Sequence, residues 1–284
     1  MTRLVNAHDH AWTTPDRYPW VSDLTPFGVE QMVYDVDDIR ADMDEHGIDR
    51  TVLIAAPIHG RGSPYTRECL RAYPDDFSGI VLLDYFADDV AERVDDALSR
   101  ENLLGVRFGA VMEWGSMWED RNPGADWITS PDLDPFWEAI ESHDAPQVQM
   151  LLEAGQLDQA EALIADHPGV NFVLDHLAWP VPGEHPPDEM PYARLESIAQ
   201  HGNAYVKVTQ TPSEEPYPFE DVHGHVRNLF EWFGSDHLLW GTDWVYHFKE
   251  ATPWEAVHFV EELPFVSGGD LRDIRYRTYE SMLP

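Results

Sequence analysis

Eight short apolar runs, most of them stopping at or beside a residue that can do chemistry, constrain this chain more than any other feature. They are Leu4–Ala7, which runs into His8, then Thr51–Ile58, Phe77–Tyr85, Leu103–Ala110, Val148–Glu153, Asn171–Ala178, Ala204–Thr209 and Leu238–Trp244. Segments with helical spacing separate most of them. Ile39, Met43 and His46 mark the first, and Val90, Ala91, Val94 and Leu98 line one side of another. Pro253 opens the last, at the position where a helix tolerates proline. Strand and helix in alternation imply parallel βαβ units, and eight such units close into a (β/α)8 TIM barrel, an α/β fold. The length of 284 residues suits one such domain over the whole chain, with an inserted loop at 111–132 rich in Trp, Gly, Pro and Asp. An open doubly wound sheet is the alternative. It would expect a glycine-rich phosphate turn after its first strand, where this chain has His8-Asp9-His10.

In a barrel the working residues sit at the C-terminal ends of the strands. His8 and His10 lie at the end of the first, and a strand period of two turns them the same way. His59 follows the second strand, Asp84 ends the third, and Arg107 lies in the fourth. Glu153, His176, Lys207 and Asp243 fall at or near the ends of the last four. Two imidazoles on one strand end can meet one divalent ion, and His176, Asp243 and Glu153 can complete a nitrogen–oxygen shell. Arg107 in an apolar strand needs an anionic partner, either a substrate oxygen or a structural aspartate. Lys207 is one of only two lysines in the chain, and the same two alternatives apply to it. A second pair, His223 and His225, falls where a helix should begin and reads as surface. Trp12, Trp114, Trp118 and Trp244 lie in or beside loops at the barrel mouth, where they either wall a pocket or pack a lid.

Composition narrows the partners. The 53 acidic residues against 18 basic ones give a formal charge of −35, spread along the chain. Such a chain repels nucleic acid and anionic membranes. Its near-absence of lysine beside 16 arginines reads as adaptation to a saline cytoplasm, where the Debye length shrinks to roughly 3 Å at 1 M salt. No apolar run approaches the ~20 residues of a membrane span, and the opening MTRLVNAHDH lacks a secretory core. The single Cys69 excludes an internal disulfide and a cysteine-built metal centre, and its apolar neighbours place it in packing. Oligomeric state stays open.

VNAHDHAW, LGVRFGA, VNFVLDHLAWP, YVKVTQ and LLWGTDW, in that order, resemble the amidohydrolase-related branch of the amidohydrolase superfamily, and within it the sugar-lactonase and dicarboxylate-lactonase-like members. The resemblance implies a distorted (β/α)8 barrel. It implies a metal-binding pair at His8 and His10, a further ligand at His176, a proton-handling Asp243 and a substrate contact at Arg107. Two departures stand out. Asn6 replaces the aspartate usual before the first histidine, and Glu153 stands where metal-dependent members carry a histidine. A weak site for one zinc or manganese ion and a metal-free site therefore both remain open. The expected activity is opening of a small lactone, or a similar ester or amide, that is anionic or polyhydroxylated. Non-oxidative decarboxylation of an aromatic or enol acid and a non-catalytic binding barrel are the alternatives.

Overall fold

The computed structural model describes residues 3–21, 33–100, 102–109, 127–244 and 251–283. Eight parallel strands run in sequence order: β1 (Val5–Asp9), β2 (Arg50–Ile54), β3 (Phe77–Val81), β4 (Leu103–Gly109), β5 (Gln147–Leu151), β6 (Asn171–Leu174), β7 (Ala204–Val208) and β8 (Leu238–Trp240). Helices α1 (Val36–His46), α2 (Pro64–Ala72), α3 (Val90–Ala97), α4 (Asp134–Glu141), α5 (Leu157–Asp166), α6 (Leu195–Ile198), α7 (His223–Phe233) and α8 (Pro253–His258) alternate with them. This is the (β/α)8 architecture. Closure comes where β8 returns to β1. The Asp243 amide donates to His8 O at 2.9 Å and the Thr242 amide to Asn6 Oδ1 at 2.9 Å. Gly241 makes that approach feasible, since a Cβ there would lie 2.7 Å from His8 Cβ.

Local chemistry explains the elements. Asp35 caps α1 by accepting from the amides of Asp37 and Asp38, and Asp38 answers by accepting from the Asp35 amide, a reciprocal capping box. Gly47 ends the same helix with a left-handed φ of 69°. Most of the core lies between the strands and the surrounding helices, and includes Ile39, Leu53, Phe77, Phe108, Phe136, Phe172 and Trp240. A second cluster fills the floor of the barrel with Val5, Ala7, Val52, Ile54, Ile80, Leu104, Val173 and Leu239. Tyr279 and Met282, from the C-terminal helix α10 (Thr278–Ser281) and the residue after it, join that floor, and Tyr279 Oη meets Ser78 Oγ at 2.7 Å. α9 (Gly268–Arg272) leads into this stretch through a π-helical turn at Asp273–Arg277.

Several strands end earlier than their apolar runs. β2 stops at Ile54, because Pro57 opens a 3-10 turn through His59. β8 stops at Trp240, leaving Gly241, Thr242 and Asp243 as an extension that packs on β1. Of the inserted loop expected at 111–132, residues from Trp127 onward are described. They form short 3-10 turns in which Trp127 and Ile128 are buried. Trp114 and Trp118 lie outside the described residues.

Candidate active site

The polar layer above the apolar floor begins with an irregularity in β1. Asn6 pairs with Thr51 of β2 but Asp9 pairs with Leu53, so three residue steps on β1 match two on β2. Such a bulge re-aims side chains. Val5 and Ala7 point into the floor, while His8 and His10 point into the layer above it. Asn6 and Asp9 turn to the other face and tie the strand to β8. Asn6 Nδ2 donates to Thr242 Oγ1 at 2.7 Å, and Thr242 Oγ1 donates to Asp9 Oδ2 at 3.0 Å. Burial raises the Asp9 carboxyl to about 7.

His176 and Asp243 arrive on strained backbone. His176, Leu177, Ala178 and Trp179 form a run of left-handed residues with φ between 48° and 58°, and Asp243 has φ 44°. Each such non-glycine residue costs about 1–2 kcal/mol, and strain of this kind collects at functional sites. Its geometric effect is direct. Asp175 follows β6 in extended conformation and His176 turns left-handed, so both consecutive side chains enter the interior.

The donor atoms converge. His8 Nε2 lies 3.1 Å from His10 Nε2. Asp243 Oδ1 lies 3.3 Å from His10 Nε2 and 3.7 Å from His8 Nε2. His176 Nδ1 lies 3.7 Å from Asp243 Oδ2 and 3.1 Å from Thr209 Oγ1, and Thr211 Oγ1 donates to Asp243 Oδ2 at 2.9 Å. Asp243 Oδ1 is buried and accepts no hydrogen bond. Metal bonds of about 2.0–2.1 Å in tetrahedral geometry place neighbouring donors about 3.3 Å apart. The triangle of His8, His10 and Asp243 matches that spacing, and its orphaned oxygen fits a cation. Asp175 and His176 form a second group with His8, whose ligand atoms lie within 4.8 Å of one another.

Beneath these residues runs a buried ionic network. Lys207 Nζ lies 2.8 Å from His8 Nδ1, 2.5 Å from Gln149 Oε1 and 3.0 Å from Asp175 Oδ1. Arg107 Nη2 donates to Asp175 Oδ2 at 3.2 Å, while Arg107 Nε is buried without a hydrogen-bond partner. Burial lowers Lys207 to about 8, opposed by the Asp175 carboxylate. Burial also lowers His176 to about 4 and pushes His8 and His10 down, so the imidazoles stay neutral near pH 7. Burial alone would raise Asp175 and Asp243. Lys207, followed by His8 and Arg107, holds Asp175 well below the ordinary carboxylate range; His176, His10 and His8 do the same for Asp243.

The fold therefore brings together His8, His10, His176, Asp243, Arg107 and Lys207. Of the two alternatives for Lys207, the structure supplies the buried ion pair, and the side chain has no exposed surface. Arg107 has a structural aspartate on one arm and an unpartnered Nε on the other. Glu153 does not join either donor group. β5 ends at Leu151, and Glu153 instead precedes the 3-10 turn Ala154–Gln156, its amide donating to Gln156 Oε1. His59 Nε2 accepts from the Thr13 amide, and Asp84 Oδ1 accepts from the Phe86 amide. His223 and His225 donate to the carbonyls of Pro218 and His185. Trp12 is buried beside Tyr34, Trp244 packs edge-on to Tyr34, and Cys69 is a buried free thiol. Sequence reasoning passed over Asp175 and Gln149. Each is a polar residue at or inside an apolar strand, which is the signal that could have found them.

An amidohydrolase family model matches residues 5–275. The chain belongs to the amidohydrolase family. This amidohydrolase is 24% identical over 263 residues to the L-fucono-1,5-lactonase of Burkholderia ambifaria, covering 90% of this chain and 87% of that one. Its fold superposes with a TM-score of 0.79 on an amidohydrolase from Burkholderia multivorans crystallised with bound zinc, at 20% identity over 99% of this chain and 100% of that one. It superposes with a TM-score of 0.80 on a structure described as a 2-pyrone-4,6-dicarboxylic acid hydrolase of Pseudomonas putida, at 18% identity over 100% and 98% of the two chains. Among the described residues no helix is long and apolar enough to cross a membrane.

Proposed function

We propose that this amidohydrolase opens a small lactone by adding water across its ester bond. The observation that carries the reading is Asp243, a buried carboxylate at the C-terminal end of the barrel whose Oδ1 accepts no hydrogen bond and lies 3.3 Å from His10 Nε2. Asp243 takes a proton from the attacking water and returns it to the ring oxygen as the C–O bond breaks, giving an open hydroxy acid. Thr211 orients the carboxylate through Oδ2, leaving Oδ1 for the water. His176, neutral near pH 7, is placed to hydrogen-bond the substrate carbonyl or the water. Arg107 Nε is the buried donor left over for a substrate oxygen, which suits an anionic or polyhydroxylated lactone. The names of the relatives point the same way, since a sugar-acid lactone and a dicarboxylated pyrone are both cyclic esters.

His8, His10 and Asp243 would hold one divalent ion, zinc or manganese, by the spacing given above. Such an ion, when bound, supplies Lewis-acid polarisation of the carbonyl and a more acidic water. The even spread of 53 acidic residues and the scarcity of lysine support a saline cytoplasm as the working environment, and small molecules rather than nucleic acids as partners.

The test is a panel of sugar-acid and dicarboxylate lactones with phenolic acids beside them, read by proton release and by carbon dioxide release. Proton release on a lactone, lost in Asp243→Asn, supports the reading. Carbon dioxide from a phenolic acid with no lactone turnover would replace it with decarboxylation.

A further inference from the structure

The spacing of His8, His10 and Asp243 suits a metal ion, but the hydrogen bonds around His8 work against one. A histidine that ligates a metal through one nitrogen normally donates its other N–H to a carboxylate, carbonyl or water. His10 obeys this rule, since His10 Nδ1–H points at Ile54 O, 2.7 Å away, and leaves Nε2 as an acceptor. His8 does not. Its Nδ1 lies 2.8 Å from Lys207 Nζ. A lysine ammonium has three donors and no acceptor. Two of these donors meet acceptors, His8 Nδ1 and Gln149 Oε1, and the charge of Nζ is paired at 3.0 Å with Asp175 Oδ1, an oxygen that accepts no hydrogen bond. With Nδ1 accepting, the hydrogen of the neutral His8 ring sits on Nε2. There it donates to His10 Nε2 at 3.1 Å, and the order Lys207, His8, His10, Ile54 O becomes one directed chain.

We propose that Lys207 sets the metal affinity of this amidohydrolase by holding His8 in the Nε2–H form, which puts a hydrogen where the ion would bind. To take a metal, His8 must move its hydrogen to Nδ1. The waiting acceptor is Asp175 Oδ1, 3.5 Å from Nδ1 and now engaged by Lys207. The lysine therefore holds both the nitrogen and the carboxylate that a metal-bound His8 would use. Its position on β7, pairing with Leu239 of β8, makes it part of the barrel wall, so it stays while the chain remains folded.

This inference rests on His8, His10 and Asp243 being the metal ligands. Loss of zinc binding in His10→Ala tests that premise separately, and lactone turnover is not a readout. Zinc affinity is measured by chelator competition in high salt, so that surface carboxylates do not compete. Lys207→Met, which fills the same space without a donor, is expected to bind zinc at least tenfold more tightly than the wild type. Adding Asp175→Asn should remove that gain. Unchanged or weaker zinc binding in a folded Lys207→Met protein overturns the proposal. Should Lys207→Met not fold, nitrogen-15 NMR of the metal-free wild type decides. A protonated His8 Nε2 with a bare Nδ1 upholds the proposal, and a protonated Nδ1 overturns it.

Discussion

Asp175 and His176 are neighbours in the chain, yet both side chains face the barrel interior, because His176 takes a left-handed φ of 51° where a strand would have turned it away. Asp175 thereby becomes the common anion of Lys207 and Arg107. Asp175→Ala leaves two buried cations without a counter-ion. Unpairing of this kind costs about 3–5 kcal/mol. Urea denaturation of the variant should give a midpoint lowered in proportion. Asp175→Asn, which keeps a hydrogen-bond acceptor, should lose less.

Barrel closure depends on Gly241. A methyl group there would lie 2.7 Å from His8 Cβ and 2.9 Å from His8 N, and the backbone of a strand cannot yield as a flexible side chain can. Gly241→Ala should destabilise the fold by about 1–3 kcal/mol. It should also lower activity more than stability alone accounts for, since the displaced group is His8. Thermal unfolding and turnover of one preparation check both parts.

The architecture was legible because strand ends in a parallel barrel all face one way. The residues at the ends of β1, β6 and β8 had to meet if those runs were strands. What escaped was local. Period-two alternation assigns Asp175 and His176 to opposite faces and puts His8 in phase with Asn6. The left-handed turn breaks that alternation at His176, and the β1 bulge breaks it before His8. Glu153 stands outside both donor groups for a related reason. Its apolar run extends past the point where the backbone leaves the sheet, so position in the run did not give position at the mouth.

Cys69 offers a probe of local opening. Burial raises its thiol to about 12, so the neutral form is favoured and the thiolate appears only as pH approaches that value. At pH 8 the thiolate fraction is on the order of one in ten thousand. Iodoacetamide at pH 8 should leave the folded protein unmodified for hours and label it at once in urea, as read by intact mass. Fast labelling of the folded chain would contradict the packing of α2 against β3.

The charge of −35 carries its own expectation. Self-repulsion weakens as salt shortens the Debye length from roughly 10 Å at 0.1 M to roughly 3 Å at 1 M. The melting temperature should rise steadily with potassium chloride over that range. A flat or falling curve would leave the saline-cytoplasm reading without support.

Lactone opening depends most directly on Asp243. Removing a positioned general base typically slows a reaction by about 10²–10⁴-fold. On any lactone the wild type opens, Asp243→Asn should lose at least a hundredfold in kcat while its KM and melting temperature stay close to those of the wild type. Turnover within a few-fold of wild type in the folded variant would contradict the assignment of Asp243 as the proton acceptor, and with it the hydrolytic mechanism.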